Sequence, residues 1–147
     1  GEIFNISKEK NCKIFFPEDV LVGKNINDSS KIKLLDDISF NEMILDIGPN
    51  TIKTIKNTIN ASKTVLWNGP AGYFENSNFS KGSYEIGKEI AKKTKEQKIY
   101  SVVGGGDTIK LINQINLFNN YNFVSTAGGA FLEYLEGKNL PGIKVLN

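Results

Sequence analysis

The chain has 147 residues, enough for one domain with a proper core, and its 39% hydrophobic and 23% charged composition is that of an ordinary globular protein rather than a disordered or membrane-spanning one. The net charge of +2 is small and the lysines are interspersed with acidic residues, so no basic patch points to nucleic acid. All 18 basic side chains are lysine and histidine is absent, which excludes imidazole acid–base catalysis and arginine stabilisation of a phosphoryl transition state from within these residues.

Gly1 to Lys10 is polar and without clear periodicity, and reads as a lead-in that frays. It lacks the basic segment and apolar run of a signal peptide. The lone Cys12 permits no intrachain disulfide and has no histidine or nucleophile motif beside it. A structural cysteine in a cytoplasmic protein without a membrane segment is the expectation. Lys13-Ile14-Phe15-Phe16 is a compact apolar run stopped by Pro17 and reads as a strand. Val20-Leu21-Val22 is a second, Asn25 to Ser30 a surface loop, and Lys31 to Leu35 a third strand in which Ile32 and Leu34 alternate with lysines. Met43 to Ile47 follows, and Pro49 suits the first turn of a helix whose stripe is Ile52, Ile55 and Ile59.

Lys63 to Trp67 is β-like and breaks at Asn68-Gly69-Pro70-Ala71-Gly72. Tyr73-Phe74-Glu75 forms one turn. From Ser80 a long helix is expected, with Ser80 and Ser83 as N-cap candidates, Tyr84, Ile86, Ile90 and Ala91 inward, and Lys92, Lys93 and Lys95 at the end that the dipole favours. Ile99 to Val103 is a strand that stops at Gly104-Gly105-Gly106-Asp107-Thr108 and hands over to a helix with Ile109, Leu111, Ile112 and Ile115. Phe123-Val124-Ser125 is a short strand. It leads through Thr126-Ala127-Gly128-Gly129 into a helix that closes at Gly137, and 138–147 is a non-helical tail. Tyr84, Phe123 and Phe131 are assigned to the core, and Asp19 and Asp46 to structural roles. The alternation of strands and helices specifies one α/β domain over 1–147, a doubly wound, Rossmann-like parallel sheet with helices on both faces.

On its own, Gly104 to Thr108 supports two readings equally. One is a phosphate and metal cradle, with glycine N–H groups on an anion, Asp107 on Mg²⁺ and the Thr108 hydroxyl on phosphate or metal. The other is a plain strand-to-helix turn with Asp107 as N-cap. Glu75 and Asn68, taken alone, read as a solvated carboxylate and a turn residue. The topology adds to the first reading, because in a parallel sheet the turns at Asn68-Gly69-Pro70, Gly104-Gly105-Gly106 and Gly128-Gly129 all leave the edge where such folds bind ligands. Gly-Lys occurs only at Gly23-Lys24, Gly87-Lys88 and Gly137-Lys138, none followed by Ser or Thr, so there is no P-loop. Ile109 stands where a dinucleotide fingerprint needs glycine.

From about Lys13 to Leu146 the chain resembles the nucleotide-binding lobe of the phosphoglycerate kinase family. The resemblance rests on Phe16-Pro17-Glu18-Asp19, Leu45-Asp46-Ile47-Gly48-Pro49, Trp67-Asn68-Gly69-Pro70, Gly72-Tyr73-Phe74-Glu75, Phe79-Ser80-Lys81-Gly82-Ser83, Gly104 to Thr108, Ser125 to Ala130, and Leu135 to Lys138 with Leu140-Pro141-Gly142, all in the family's order. It implies reversible phosphoryl transfer between 1,3-bisphosphoglycerate and MgADP, giving 3-phosphoglycerate and MgATP, by a protein that is monomeric when complete.

By position, the resemblance places Asp107 on Mg²⁺, and Gly105, Gly106, Thr108 and Asn68 at the phosphates of ADP/ATP. Glu75 falls on the ribose hydroxyls, Gly69, Pro70 and Tyr73 in the nucleoside wall, and Gly128 and Gly129 at the transferring phosphoryl. Tyr73, Ser83 and Ala127 stand where the family has a smaller apolar residue, Thr and Gly. The resemblance covers the last third of the family's length. The substrate-binding lobe with its arginine, and the first units of the nucleotide lobe with their lysines, are therefore expected outside these residues, and catalysis by this chain alone is not expected; the alternative reading is a non-catalytic α/β fragment that binds nucleotide weakly or is purely structural.

Overall fold

The strands of the computed structural model, which describes residues 1–146, form two three-stranded sheets. β4 (Thr64–Asn68), β5 (Tyr100–Gly104) and β6 (Phe123–Ser125) make a parallel sheet in that order. The connections between them carry α3 (Lys81–Lys95) and α4 (Gly106–Gln114), long enough to return each strand in the same direction. The other sheet, in the order β2 (Lys31–Leu34), β1 (Asp19–Gly23), β3 (Met43–Ile47), is antiparallel. The expectation of one parallel sheet is corrected to this extent. The turn between β1 and β2 is too short for a crossover, so those strands can pair only antiparallel.

α2 (Pro49–Ala61), α3 and α4 build the main core. Ile52 and Ile59 of α2 meet Ile86, Ile90 and Ala91 of α3, Leu111 and Ile112 of α4, and Trp67 and Val103 from one face of the parallel sheet. Gly87 lets the Trp67 ring lie against α3, and the buried Tyr121 hydroxyl donates to Gly87 O at 3.0 Å. The opposite face is open, with Leu66, Tyr100 and Phe123 each about half exposed. α5 (Gly129–Leu135) reaches that side, where the Phe131 ring packs against Gly104. Phe123 is thus not a core residue, and Tyr84 and Phe131 are only partly buried.

Four further expectations change. Glu2–Glu9 forms α1, with Glu2 in its first turn and Lys8 in its last. Its apolar residues Ile3, Phe4 and Ile6 stay exposed, and Phe4 stacks on Phe16. Lys13 to Phe16 has no strand partner, and Cys12 is exposed. The tail contains one helical turn, α6 (Pro141–Lys144), started by Pro141 as its first residue; Asn147 lies outside the described residues.

Two carboxylates join the antiparallel sheet to the helices. α2 has Gly48 at its N-cap and no local side-chain cap. Asp19 of β1 supplies it instead, accepting Asn50 N–H at 3.0 Å and Thr51 N–H and hydroxyl at 2.8 Å. Burial alone would raise the Asp19 carboxyl, but these donors outweigh it and hold the group below its usual range. α3 is similar. Neither Ser80 nor Ser83 caps it by side chain: Ser80 Oγ donates to Ser77 O, and Ser83 accepts from Ala71 and Gly72. Asp46 of β3 takes Gly82 N–H at 2.8 Å. Burial pushes the Asp46 carboxyl up to about 6 against donation from Gly82 and Ile47.

A carboxyl whose folded pKa lies above its unfolded value binds more protons when folded between the two, so its contribution to stability rises as pH falls through that window. The unfolding free energy of the wild type relative to Asp46→Asn should therefore grow by about 1–3 kcal/mol from pH 7 to pH 4.5. Urea titrations of both proteins across that range check this, and a constant difference would remove the shift.

Candidate functional site

The parallel register aligns Asn68 with Gly104 and Gly104 with Ser125, so β4, β5 and β6 end level and three turns emerge from one edge. Each turn contains a glycine at positive φ: Gly69 at 96°, Gly105 at 90° and Gly128 at 59°. At Gly105 both reasons for glycine act together. An L side chain would be strained at that φ, and its Cβ would stand 3.0 Å from Asn68 Oδ1. The chain can then turn at once into α4, whose first N–H groups have no intrahelical partners and face the edge of the sheet. Gly106 and Asp107 are exposed there, as are Asn68, Gly128 and Gly129.

The first two turns are tied together. Thr108, fully buried, accepts Gly69 N–H on Oγ1 at 2.8 Å, and Trp67 Nε1 donates to Gly69 O at 2.9 Å. The Thr108 hydroxyl, as acceptor of Gly69 N–H, keeps its own hydrogen to donate, and Asp107 is the exposed carboxylate of that turn. The third turn is held less firmly, by a 3.4 Å bond from Ala127 N–H to Ser125 Oγ and by Phe131 against Gly104.

The segment after Gly69 closes one side. Pro70 and Ala71 are half-buried. Tyr73, expected in the nucleoside wall, packs against the small cluster of Leu21, Leu45 and Phe79. Phe74 enters the main core and leaves Glu75 exposed beside it. Glu75 Oε1 pairs with Lys110 Nζ at 3.3 Å, and the same ammonium lies 5.3 Å from the Phe74 ring centroid. Lys110 was not singled out from the sequence. It stands one turn beyond Asp107 on α4, and so links the helix that carries the glycine turn to the loop that carries Glu75.

The edge thus offers backbone N–H groups, one carboxylate at Asp107, one at Glu75 and one ammonium. Among the described residues no group of three or more metal-binding side chains occurs. A single carboxylate suits Mg²⁺, which keeps its waters and takes its other ligands from substrate phosphates. The concavity of about 550 Å³ at Phe4, Ser7, Lys8 and Cys12 belongs to α1 and the residues after it, not to the glycine turns. No helix of the described residues is long and apolar enough to cross a membrane.

The family model for phosphoglycerate kinase matches residues 1–138. The chain belongs to the phosphoglycerate kinase family. A phosphoglycerate kinase of Zymomonas mobilis is 44% identical over 146 residues, covering 98% of this chain and 37% of that protein. One from the Wolbachia of Brugia malayi is 43% identical over 147 residues, covering 99% and 37%. The structure of phosphoglycerate kinase from Coxiella burnetii matches with a TM-score of 0.90 at 41% identity, over 99% of this chain and 37% of that one. That from Pyrococcus horikoshii matches with a TM-score of 0.79 at 28% identity, over 97% and 34%. The chain spans little more than a third of the length of these relatives.

The tie between the turns is open to direct test. Thr108→Val keeps the shape and leaves Gly69 N–H without its acceptor, which should lower the unfolding free energy by about 1–3 kcal/mol. Thr108→Ser should lose less, and equal stability of the valine variant in urea unfolding would show that the bond does not form.

Proposed function

We propose that this chain forms the nucleotide side of a phosphoglycerate kinase, which transfers a phosphoryl group reversibly between 1,3-bisphosphoglycerate and MgADP to give 3-phosphoglycerate and MgATP. The observation that carries the reading is the level edge of the parallel sheet, where three glycine turns and the start of α4 converge in a chain of this family. Phosphoryl transfer asks little covalent chemistry of the protein and much positioning of charge. A site made of backbone donors and carboxylates, without histidine, is suited to that work.

In this reading the N–H groups of Gly105 and Gly106 meet the nucleotide phosphates, with the first turn of α4 adding its partial positive charge. Asp107 holds Mg²⁺, which when bound neutralises phosphate charge. Asn68 lies at the phosphate end, and the Thr108 hydroxyl meets the phosphates while tying the turn to Gly69. Glu75 accepts from the ribose hydroxyls, Gly69 and Pro70 border the base, and the backbone of Tyr73 sets the path of the wall while its ring faces inward. Gly128 and Gly129 offer N–H groups toward the transferring phosphoryl. With no arginine among the 147 residues, the cation that stabilises the transition state comes from elsewhere in the complete, cytoplasmic and monomeric enzyme, as do the contacts to 3-phosphoglycerate.

A ligand that prefers the folded state must stabilise it. Millimolar MgADP should raise the melting temperature of the 147-residue chain by about 2–4 °C for every kcal/mol of binding; an unchanged transition in a cooperatively folded sample would count against the site. In the complete enzyme, Asp107→Ala should cut kcat by about 100-fold or more with an unchanged circular dichroism spectrum. Near wild-type turnover would take Asp107 out of the metal role.

A further inference from the structure

The loop from Gly69 to Glu75 carries the nucleoside side of the candidate site without a helix or strand of its own. A buried polar frame holds it from behind. Tyr73 N–H donates to Leu45 O of β3 at 2.7 Å. Ala71 N–H and Gly72 N–H both donate to the Oγ of Ser83, a fully buried residue in the first turn of α3, at 2.9 and 3.3 Å. Asp46, 1% exposed, fills the space between loop and helix. Gly72 and Gly82 approach its carboxylate so closely that a Cβ on either would collide with Oδ1, while Oδ2 accepts Gly82 N–H. Loop, strand and helix therefore meet over one carboxylate and one hydroxyl.

We propose that Asp46 and Ser83 are positioning residues for nucleotide binding: they set the course of the Gly69–Glu75 loop and thereby the place where Glu75 presents its carboxylate to the ribose of a nucleoside diphosphate. The inference rests on the nucleotide reading given above. Two successive N–H groups on one hydroxyl fix the two peptide planes that lead into Tyr73, and two glycines against one carboxylate leave the loop no room to move inward. At its outer end the loop is held by Phe74, buried in the main core, and by the Asn76 N–H to Tyr73 O bond, while the solvent-exposed pair between Glu75 and Lys110 contributes little to holding the backbone in place. The position of Glu75 is thus decided from the buried side. Ser83 and Asp46 lie behind the loop and act on the ligand only through it.

The test compares wild type, Ser83→Ala, Ser83→Thr and Asp46→Asn in the complete enzyme by two measurements. The first is amide hydrogen exchange at Ala71 and Gly72 without nucleotide, and the second is the MgADP dissociation constant by titration calorimetry. Ser83→Ala should speed exchange at both amides and raise the dissociation constant about tenfold, and Ser83→Thr, which keeps the hydroxyl, should restore both. Asp46→Asn, which keeps the volume but not both acceptor oxygens, should raise the constant several-fold; it carries the test if Ser83→Ala does not fold. Faster exchange with an unchanged constant would overturn the inference alone, as would unchanged exchange. A wild-type enzyme that binds no MgADP would overturn the nucleotide reading and this inference with it.

Discussion

The hydrogen-bond ladder that sets Asn68 beside Gly104 and Gly104 beside Ser125 determines where every backbone donor of the candidate site lies. Its register is held by the faces of the strands. Trp67 and Val103 are buried against α3 and α4, while their neighbours Leu66 and Val102 point to the other side. A slip of one residue would turn Trp67 and Val103 outward and cost the main core its sheet wall. The same packing that stabilises the domain thus keeps three strand ends level. The bond from Gly69 N–H to Thr108 then fixes the first two turns against each other.

Long-range carboxylates do work that local sequence does not. α2 begins at Gly48 and α3 at Ser80, and neither has a side-chain cap of its own, so Asp19 and Asp46 reach across from the antiparallel sheet to the orphan N–H groups. In consequence the two sheets are not independent bodies joined by a linker. The helices that wall the parallel sheet are anchored by residues of β1 and β3, and the loop bearing Glu75 is anchored by the same strand, β3, through Leu45 and Asp46.

The parts of this arrangement that sequence reveals are those with a local cause. Helical spacing of Ile52 and Ile59, and of Ile86 and Ile90, marks α2 and α3 because one stripe must be buried. Glycines after apolar runs mark the turns. The alternation from β4 to β6 then places the three turns on one edge before any coordinate is known. What stayed hidden depends on contacts distant in the chain. The antiparallel pairing of β1 with β3 is such a contact, as are the caps from Asp19 and Asp46. So is the burial of Thr108 against Gly69, the inward turn of Tyr73 onto Leu21 and Phe79, and the meeting of Lys110 with Glu75 across 35 positions. α1 is hidden for another reason: its amphipathic pattern is comparable to that of the buried helices, but eight residues are too few for that periodicity to stand out in the sequence.

One feature of the fold bears on how the protein behaves in solution. Purely parallel sheets are ordinarily covered on both faces, yet Leu66, Tyr100 and Phe123 form an open apolar strip on this one. The net charge of +2 provides only weak repulsion between molecules that meet strip to strip. The strip lies on the face of the sheet away from the main core and adds to other exposed apolar side chains, such as Ile3, Phe16 and Phe40, in favouring self-association of the 147-residue chain. Its solubility will depend on protein concentration and on salts that strengthen apolar contact, even where its folding and its edge of glycine turns are unaffected.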